Sequence, residues 1–237
     1  MKLPISSRLL ACCSFIKPGD RVADIGCDHG YLGIYLLQNM LASAVIAADI
    51  NQQPLDSAVR NANKYGVADQ MTFYLSDGAR NIPHDFDTLV CAGMGANTMV
   101  SILEAAPWLK SENYRLILQC QSKLPMLRQY LSNQGYCISK ETVLKDGRFL
   151  YTVMEVIYAP GSPLTPGGYY FSPALLENPC KAVSQYYARV IFSLNRAIRG
   201  RGEQADPMMT AALQELAELG AKPEFTWLLE ENDDDCK

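Results

Sequence analysis

The sequence lacks the features that mark several common classes of protein. Among its 237 residues are two histidines, and none of its eight cysteines forms a C-x-x-C pair, so we expect no metal site. The first 14 residues contain no sustained apolar run before a small-residue cleavage site, which argues against a secretory signal. Cysteines scattered through apolar segments favour reduced thiols, and together these absences predict a cytoplasmic protein.

Charge is absent from one long segment. Residues 29–48 contain no Asp, Glu, Lys or Arg. Gly30, Gly33, Gln38 and Ser43 interrupt the segment, however, whereas a bilayer span needs about 20 predominantly apolar residues in succession. We therefore predict a buried helix followed by a buried strand, and no membrane partner.

Positive charge is also scarce overall, because the net charge is −4. The last eight residues, 230–237, contribute all of that excess and predict a solvated acidic tail. Residues 176–203 instead carry five basic side chains against two acidic ones. An acidic total therefore does not exclude a nucleic-acid partner, since the distribution of charge matters more than its sum.

Apolar strand-like runs alternate with helical patterns through the first two thirds of the chain. Five such units are followed by two more apolar runs joined at Asp146-Gly147, a hairpin signal. This order predicts an α/β fold, a seven-stranded Rossmann-like sheet whose ligand crevice lies at the carboxyl ends of the first and fourth strands. The predicted strands are residues 21–26, 44–50, 71–75, 87–92, 115–119, 136–143 and 149–158.

The remainder of the chain has a different pattern. Residues 159–168 hold three prolines and three glycines, which predicts a linker. Beyond it, apolar residues recur at spacings of three and four between Val183 and Ile198, and a second helical pattern follows after a break. We therefore predict a small helical hairpin domain, coiled-coil-like, over residues 169–229. The expected organisation is a sheet domain over 1–158, a linker, the hairpin and the acidic tail.

The turn after the first strand reads D-I-G-C-D-H-G, where a dinucleotide fold would carry G-x-G-x-x-G. Asp28 takes the place of the middle glycine, and an anion about 4 Å from a phosphate would be repelled by roughly 4 kcal/mol per charge pair. The turn therefore suits a ligand with a positive centre, such as S-adenosylmethionine. The predicted cofactor-binding residues of this turn are Asp24, Gly26, Asp28, His29 and Gly30.

Acids also end the next two strands. Asp49 is predicted to accept the hydroxyls of a ribose, with Ile50 beside it, and Asp77-Gly78 to accept an adenine amino group. Alternatively, Asp49 is a solvated carboxylate at a strand end, and Asp77-Gly78 is an ordinary turn. A nicotinamide dinucleotide would use the same Asp49, and Asp28 is what disfavours it.

The fourth strand ends in A-G-M-G-A-N-T-M. Many amino-methylating enzymes carry Asn/Asp-Pro-Pro-aromatic at this place, whereas here Gly93 and Gly95 flank Met94. We predict that Ala92 and Gly93 contact the cofactor and that Met94 and Gly95 belong to the catalytic centre. The alternative is a glycine turn with a packing methionine.

With these motifs in order, the chain resembles the bacterial tRNA (adenine-N1)-methyltransferases of the TrmK type over residues 1–158. The matching segments are ISSRL at 5–9, DIGCDHGYLG at 24–33, DGA at 77–79, AGMGA at 92–96 and ILQC at 117–120. Three departures from the family pattern are Gly33 for Pro, Ala96 for Gly, and Cys120-Gln121 for Pro-Asn. The last lies near the expected pocket for the target base.

The resemblance implies a class I methyltransferase fold, with residues 1–158 as the catalytic domain, and S-adenosylmethionine-dependent methylation of adenine N1 at position 22 of tRNA. Asp28 is the first candidate to stabilise the cationic product, with His29 orienting it. Alternatives are a methyltransferase for a small molecule or a protein, and a non-catalytic RNA-binding relative. The predicted substrate-binding residues are Arg8, Tyr31, Gln119, Lys181, Arg189, Arg196 and Arg199.

Overall fold

A seven-stranded mixed sheet forms the centre of the computed structural model, which describes residues 3–161 and 163–229. The strands are β1 (Asp20–Ile25), β2 (Ala42–Asp49), β3 (Met71–Leu75), β4 (Thr88–Met94), β5 (Arg115–Cys120), β6 (Tyr136–Asp146) and β7 (Phe149–Tyr158). Their order is β3-β2-β1-β4-β5-β7-β6, with β1 to β5 parallel and β7 antiparallel to both neighbours. The predicted fold is confirmed, and the strand order reverses between β1 and β4 as expected.

Helices cover both faces of this sheet. The helices are α1 (Ser7–Cys13), α2 (Tyr31–Gln38), α3 (Gln52–Lys64), α4 (Ala96–Glu104), α5 (Leu124–Asn133), α6 (Pro166–Tyr170), α7 (Lys181–Arg201) and α8 (Pro207–Gly220). Short 3-10 helices are Ala68–Gln70, Pro107–Leu109, Pro173–Glu177, Gly202–Gln204 and Pro223–Leu229. On β1, Ala23 and Ile25 join the core under α4 and α5, whereas Val22 joins the core under α1, α2 and α3. Burial on both faces explains why the strands read as continuous apolar runs.

One helix of the first domain was not apparent in the sequence pattern. α1 begins after Ser6, whose hydroxyl accepts a hydrogen bond from the Leu9 amide at 3.4 Å. The helix buries Cys12 and Cys13 against the sheet. At seven residues it is too short to hold on propensity alone, and packing stabilises it. The uncharged segment 29–48 does form a helix and a strand, α2 and β2.

The C-terminal segment packs on the edge of the sheet. α7 and α8 lie where the hairpin is predicted, and the Tyr187 hydroxyl of α7 donates to the Leu216 carbonyl of α8 at 2.6 Å. Their core includes Val143 of β6. α6 begins at Pro166, inside the range expected to be a linker, because Thr165 caps it and proline is favoured at a first helical position. The domain limits and the coiled-coil character stay predictions, and the acidic tail lies outside the described residues.

A buried arginine of the sheet domain is ion-paired within that domain and also contacts the C-terminal segment. Arg128 of α5 lies 2.6 Å from Glu141 of β6, and both side chains are inaccessible to solvent. The same guanidinium donates to the Tyr170 carbonyl at 2.8 Å, and its plane faces the ring of Tyr186 at 5.8 Å. One arginine therefore holds α5, β6, α6 and α7 together.

Six cysteines are free thiols, five of them buried. Burial raises the pKa of the Cys12, Cys27 and Cys91 thiols above their ordinary value. Cys180 is disulfide-bonded, so the prediction of reduced thiols is wrong at that position. Within the described ranges no helix is both long and apolar enough for a bilayer span, and no cluster of three or more His, Cys, Asp or Glu side chains suits a metal ion.

Candidate active site

The backbone amides of the turn that follows β1 donate hydrogen bonds to the end of β2. The Gly26 and Cys27 amides both donate to the Ala48 carbonyl, at 2.8 and 3.0 Å. The next amide, that of Asp28, donates to a carboxylate oxygen of Asp49 at 3.2 Å. The turn therefore does not present the row of free N–H groups with which a glycine-rich loop holds a pyrophosphate, and it supports the exclusion made from the sequence.

Two glycines of this turn allow close contacts. Gly26 has a φ of +73°, and a Cβ there would lie 2.3 Å from the Met94 methyl group. Gly30 has a φ of +72°, and its Cβ would lie 3.0 Å from the side chain of Ala58. Asp28 also adopts a positive φ, +50°, which asparagine and aspartate tolerate better than most residues. The turn therefore bends sharply and lets Met94 of β4 and Ala58 of α3 pack closely against its backbone.

Two buried carboxylates lie at the ends of β1 and β2. Asp24 is 5% exposed, and its Oδ2 has no hydrogen-bond partner among the described residues. Burial, together with the nearby charges of Asp49 and Asp28, raises the pKa of Asp24 to about 7. A carboxyl in this state needs either a proton or a cationic partner.

Asp49 is buried as well, but its carboxylate is held. Its Oδ1 accepts from the Asn51 amide at 2.9 Å and its Oδ2 accepts from the Asp28 amide. These two bonds fix the orientation of the group and leave the remaining lone pairs for a ligand.

A first cavity, of about 320 Å³, lies between the ends of β2 and β3, and we call it the β2 cavity. Ile50 is 61% exposed there and offers an apolar surface. Asp77 lies 3.5 Å from Arg80, and Gly78 has a φ of +63° with Ile102 packed directly behind it. The predicted site residues on this cavity are Gly26, Asp49, Ile50, Asp77, Gly78 and Met94.

A second cavity, of about 350 Å³, lies between the ends of β1 and β4, and we call it the β4 cavity. At its floor the Gly93 amide donates to the Gln119 side chain at 3.1 Å, beside an irregularity in the pairing of β4 with β5. The predicted site residues on this cavity are Arg8, Asp24, Gly26, Asp28, His29, Tyr31, Ala92, Gly93, Met94 and Gln119.

Met94 and Gly26 line both cavities, so the Met94 side chain resting on Gly26 marks the boundary between them. Gly95 caps α4 directly after this position, and a Cβ there would lie 2.9 Å from the Ser122 hydroxyl. A ligand with two parts could occupy the two cavities at once, passing over Gly26.

The exposed groups of the β4 cavity lie at its opening. The Asp28 side chain is 69% exposed, and its Oδ1 lies 3.6 Å from Nε2 of His29. The His29 ring is in turn 5.7 Å from the Tyr31 ring. Arg8 reaches the cavity from α1, with its guanidinium 5.0 Å from the centre of the Tyr151 ring. The opening therefore combines charge of both signs with aromatic surface.

The predicted basic residues of α7 do not line either cavity. Arg189, Arg196 and Arg199 are exposed and share one face of the helix, opposite the face that is buried. Phe192, 66% exposed, lies on the same face, and α7 contains no acidic residue. Lys181 is half-buried at the start of the helix.

Several residues of the site were not predicted from the sequence. Ser6, Leu9 and Leu32 also line the β4 cavity, and Arg80 and Thr98 line the β2 cavity. Gln121, which the family resemblance placed near the expected pocket for the target base, lines the β4 cavity. It directly follows β5, and the carboxyl ends of neighbouring parallel strands meet at one edge of a sheet.

The sheet order, the acid-ended strands and the paired cavities define a class I methyltransferase. In agreement, the family model described as a methyltransferase domain matches residues 5–154, and the chain belongs to that family. The resemblance to the TrmK type is also confirmed. The tRNA (adenine(22)-N(1))-methyltransferase of Bacillus subtilis is 33% identical over 154 residues, which are 65% of this chain and 65% of that protein.

Solved structures agree with this relationship. The crystal structure of the Bacillus subtilis M1A22 tRNA methyltransferase TrmK superimposes with a TM-score of 0.76 at 26% identity, covering 98% of this chain and 100% of that one. Sp1610 of Streptococcus pneumoniae, a candidate tRNA (m1A22) methyltransferase in complex with S-adenosyl-L-methionine, gives a TM-score of 0.78 at 26% identity. That comparison covers 91% of this chain and 99% of Sp1610.

Proposed function

We propose that the protein transfers a methyl group from S-adenosylmethionine to N1 of an adenine in tRNA, at position 22. The observation that carries this is the pair of cavities that share Gly26, one lined by Asp49 and Asp77, the other by Asp24, whose Oδ2 has no hydrogen-bond partner among the described residues. The likeness to tRNA (adenine-N1)-methyltransferases supplies the acceptor. Because tRNA is the substrate, we place the protein in the cytoplasm.

The residues present suit the cofactor. In the β2 cavity, the fixed Asp49 carboxylate would accept the ribose hydroxyls, Asp77 would accept the adenine amino group, and Ile50 would offer an apolar surface to the ring. In the β4 cavity, Asp24 offers a buried oxygen without a partner to an ammonium group. When bound, S-adenosylmethionine supplies an electrophilic methyl group on a sulfonium.

The β4 cavity suits a nucleobase acceptor. Adenine N1 carries its own lone pair, so attack on a methyl group requires position rather than a base that removes a proton. The base gains positive charge as the bond forms, and the exposed Asp28 carboxylate stabilises that charge while His29 orients it. Because N1 lies on the Watson–Crick edge, the adenine must leave any partner base before it enters.

The exposed face of α7 supports the tRNA assignment. Arg189, Arg196 and Arg199 give this face positive charge for phosphate contacts, and Phe192 among them offers a ring on which a base can stack. Arg8 provides a cation at the opening of the β4 cavity. We therefore place the docking of tRNA along α7 and at α1.

The direct test measures which molecule receives the methyl group. Purified protein is incubated with radiolabelled S-adenosylmethionine and bulk tRNA, and modified adenines are mapped in tRNA from cells with and without the gene. We expect label in tRNA and a modification at position 22 that depends on the gene. Label in protein or a small molecule would instead support a methyltransferase of another substrate class, and cofactor binding without any acceptor would support a non-catalytic relative.

A further inference from the structure

Gln121 of the β4 cavity has a hydrogen-bonded backbone and a side-chain amide without a hydrogen bond among the described residues. Gln121 follows β5 directly, and its amide donates to the Met94 carbonyl at 2.8 Å. The backbone is thus tied to the residue that separates the two cavities. The side chain is exposed and lines the β4 cavity.

Gln119, the other glutamine of the cavity, has a structural role. Gln119 is 1% exposed, its Oε1 accepts from the Gly93 amide, and its Nε2 donates to the Cys120 carbonyl at 3.3 Å. Gln121 has no side-chain hydrogen bond to any of the residues that the structure describes. Of the two amide side chains in the cavity, Gln121 is therefore the one available to a ligand.

Gly93 keeps this amide accessible. A Cβ at Gly93, which has a φ of +81°, would lie 3.6 Å from Nε2 of Gln121. A side chain there would stand over the amide, whereas glycine leaves open the space through which a flat ring can approach. The amide, the glycine and Met94 thus lie together on the wall of the β4 cavity.

We propose that Gln121 is a specificity-determining residue that reads the Watson–Crick edge of the target adenine, its Oε1 accepting a hydrogen bond from the exocyclic N6 amino group. This inference rests on the proposed function. During the reaction N1 must direct its lone pair at the methyl group, so N1 cannot be held by a donor. The adjacent amino group is the donor by which an enzyme can recognise adenine and orient N1, and an amide oxygen is a suitable acceptor for it.

The test combines a protein variant with a change in the base. Gln121→Met removes the amide at similar length, and the acceptor transcripts carry either adenine or purine, which lacks the amino group, at the target position. With adenine we expect Gln121→Met to lower kcat/KM for tRNA about tenfold, the effect of one hydrogen bond. Purine lowers the rate of both enzymes because its N1 is a weaker nucleophile, but the tenfold difference between wild type and variant should disappear.

Two controls separate this contact from a general disturbance. Gln53→Met changes an exposed glutamine on α3, outside both cavities, and should leave both rates unchanged. Affinity for S-adenosylmethionine and the melting temperature of Gln121→Met should equal those of the wild type. Losses from variant and purine that multiply, or full activity of Gln121→Met on adenine, would overturn the inference alone. A wild type without activity on the adenine transcript would overturn the proposed function and this inference with it.

Discussion

Asp24 should make the free protein less stable as the pH rises, and its removal should therefore stabilise the fold. The Asp24 carboxyl is buried, and Oδ2 has no partner among the residues described. Burial raises its pKa from 3.8 to about 7. The folded chain thus holds a proton that the unfolded chain releases between these two values.

The sign and the size follow from that shift. Between about pH 4 and pH 7 the folded state binds more protons than the unfolded state, so the free energy of unfolding falls as the pH rises. A shift of roughly three units at 1.36 kcal/mol per unit gives a loss on the order of 4 kcal/mol once the pH exceeds the folded pKa. Asp24→Asn carries no charge in either state and escapes this loss.

Urea unfolding across this pH range, without cofactor, measures the effect. We expect Asp24→Asn and the wild type to be similar near pH 4, and the variant to be more stable by a few kcal/mol above about pH 7. Asp28→Asn, in the same turn but exposed, is the matched control and should show no comparable difference. Equal stability of Asp24→Asn and wild type at high pH would refute the argument that Asp24 is buried at a cost.

The cofactor should respond in the opposite direction. An ammonium group beside Asp24 needs the ionised carboxylate, so wild-type affinity for S-adenosylmethionine should rise as the pH passes about 7. Asp24→Asn should bind more weakly and lose this pH dependence, as titration calorimetry at pH 6 and pH 8 would show. A pH dependence that survives in the variant would assign it to another group.

Three further predictions concern separate parts of the molecule. Asp49→Ala should weaken S-adenosylmethionine binding by at least about 100-fold in calorimetry, because two charge-assisted hydrogen bonds are lost. Arg196→Glu with Arg199→Glu should weaken tRNA binding and lower its salt dependence by roughly 0.7–0.9 per lost phosphate contact in filter binding, with cofactor affinity unchanged. Arg128→Ala should lower the free energy of unfolding by about 3–5 kcal/mol, since it leaves the Glu141 charge buried and unpaired.

Each of these has a control. Asp56→Ala, exposed on α3, should not alter cofactor affinity. Arg60→Glu reverses an exposed charge on α3, and if it weakened tRNA binding as much as the pair on α7, that pair would not mark the docking surface. Joint replacement of Arg128 and Glu141 by apolar residues should be milder than Arg128→Ala, and an equal loss would contradict the role given to the unpaired carboxylate.

The sequence was sufficient for the regular elements and insufficient for the environment of single groups. The bounds of β3 and β7 were predicted to the residue, because turn-forming residues flank clear apolar patterns. α6 was missed within a proline-rich stretch, although Thr165 followed by Pro166 is a capping signal that could have revealed it.

For the site too, the positions of residues were predictable from the sequence and their environments were not. The rule that ligands bind at strand ends identified Asp24 and Asp49, whereas Gln121 at the end of β5 was singled out only through the family resemblance. No pattern in the sequence shows that Asp24 lacks a partner while Asp49 has two, because that depends on how the turn after β1 folds back onto β2.

The contacts of Arg128 with both parts of the chain matter for the design of fragments. A fragment ending at residue 158 would keep Arg128 and Glu141 but lose the carbonyl of Tyr170 and the ring of Tyr186, exposing a guanidinium and an acid that the intact protein conceals. Such a fragment would be prone to aggregate, and chimaeras that exchange the C-terminal helices between relatives would need to transplant this arginine's whole surroundings.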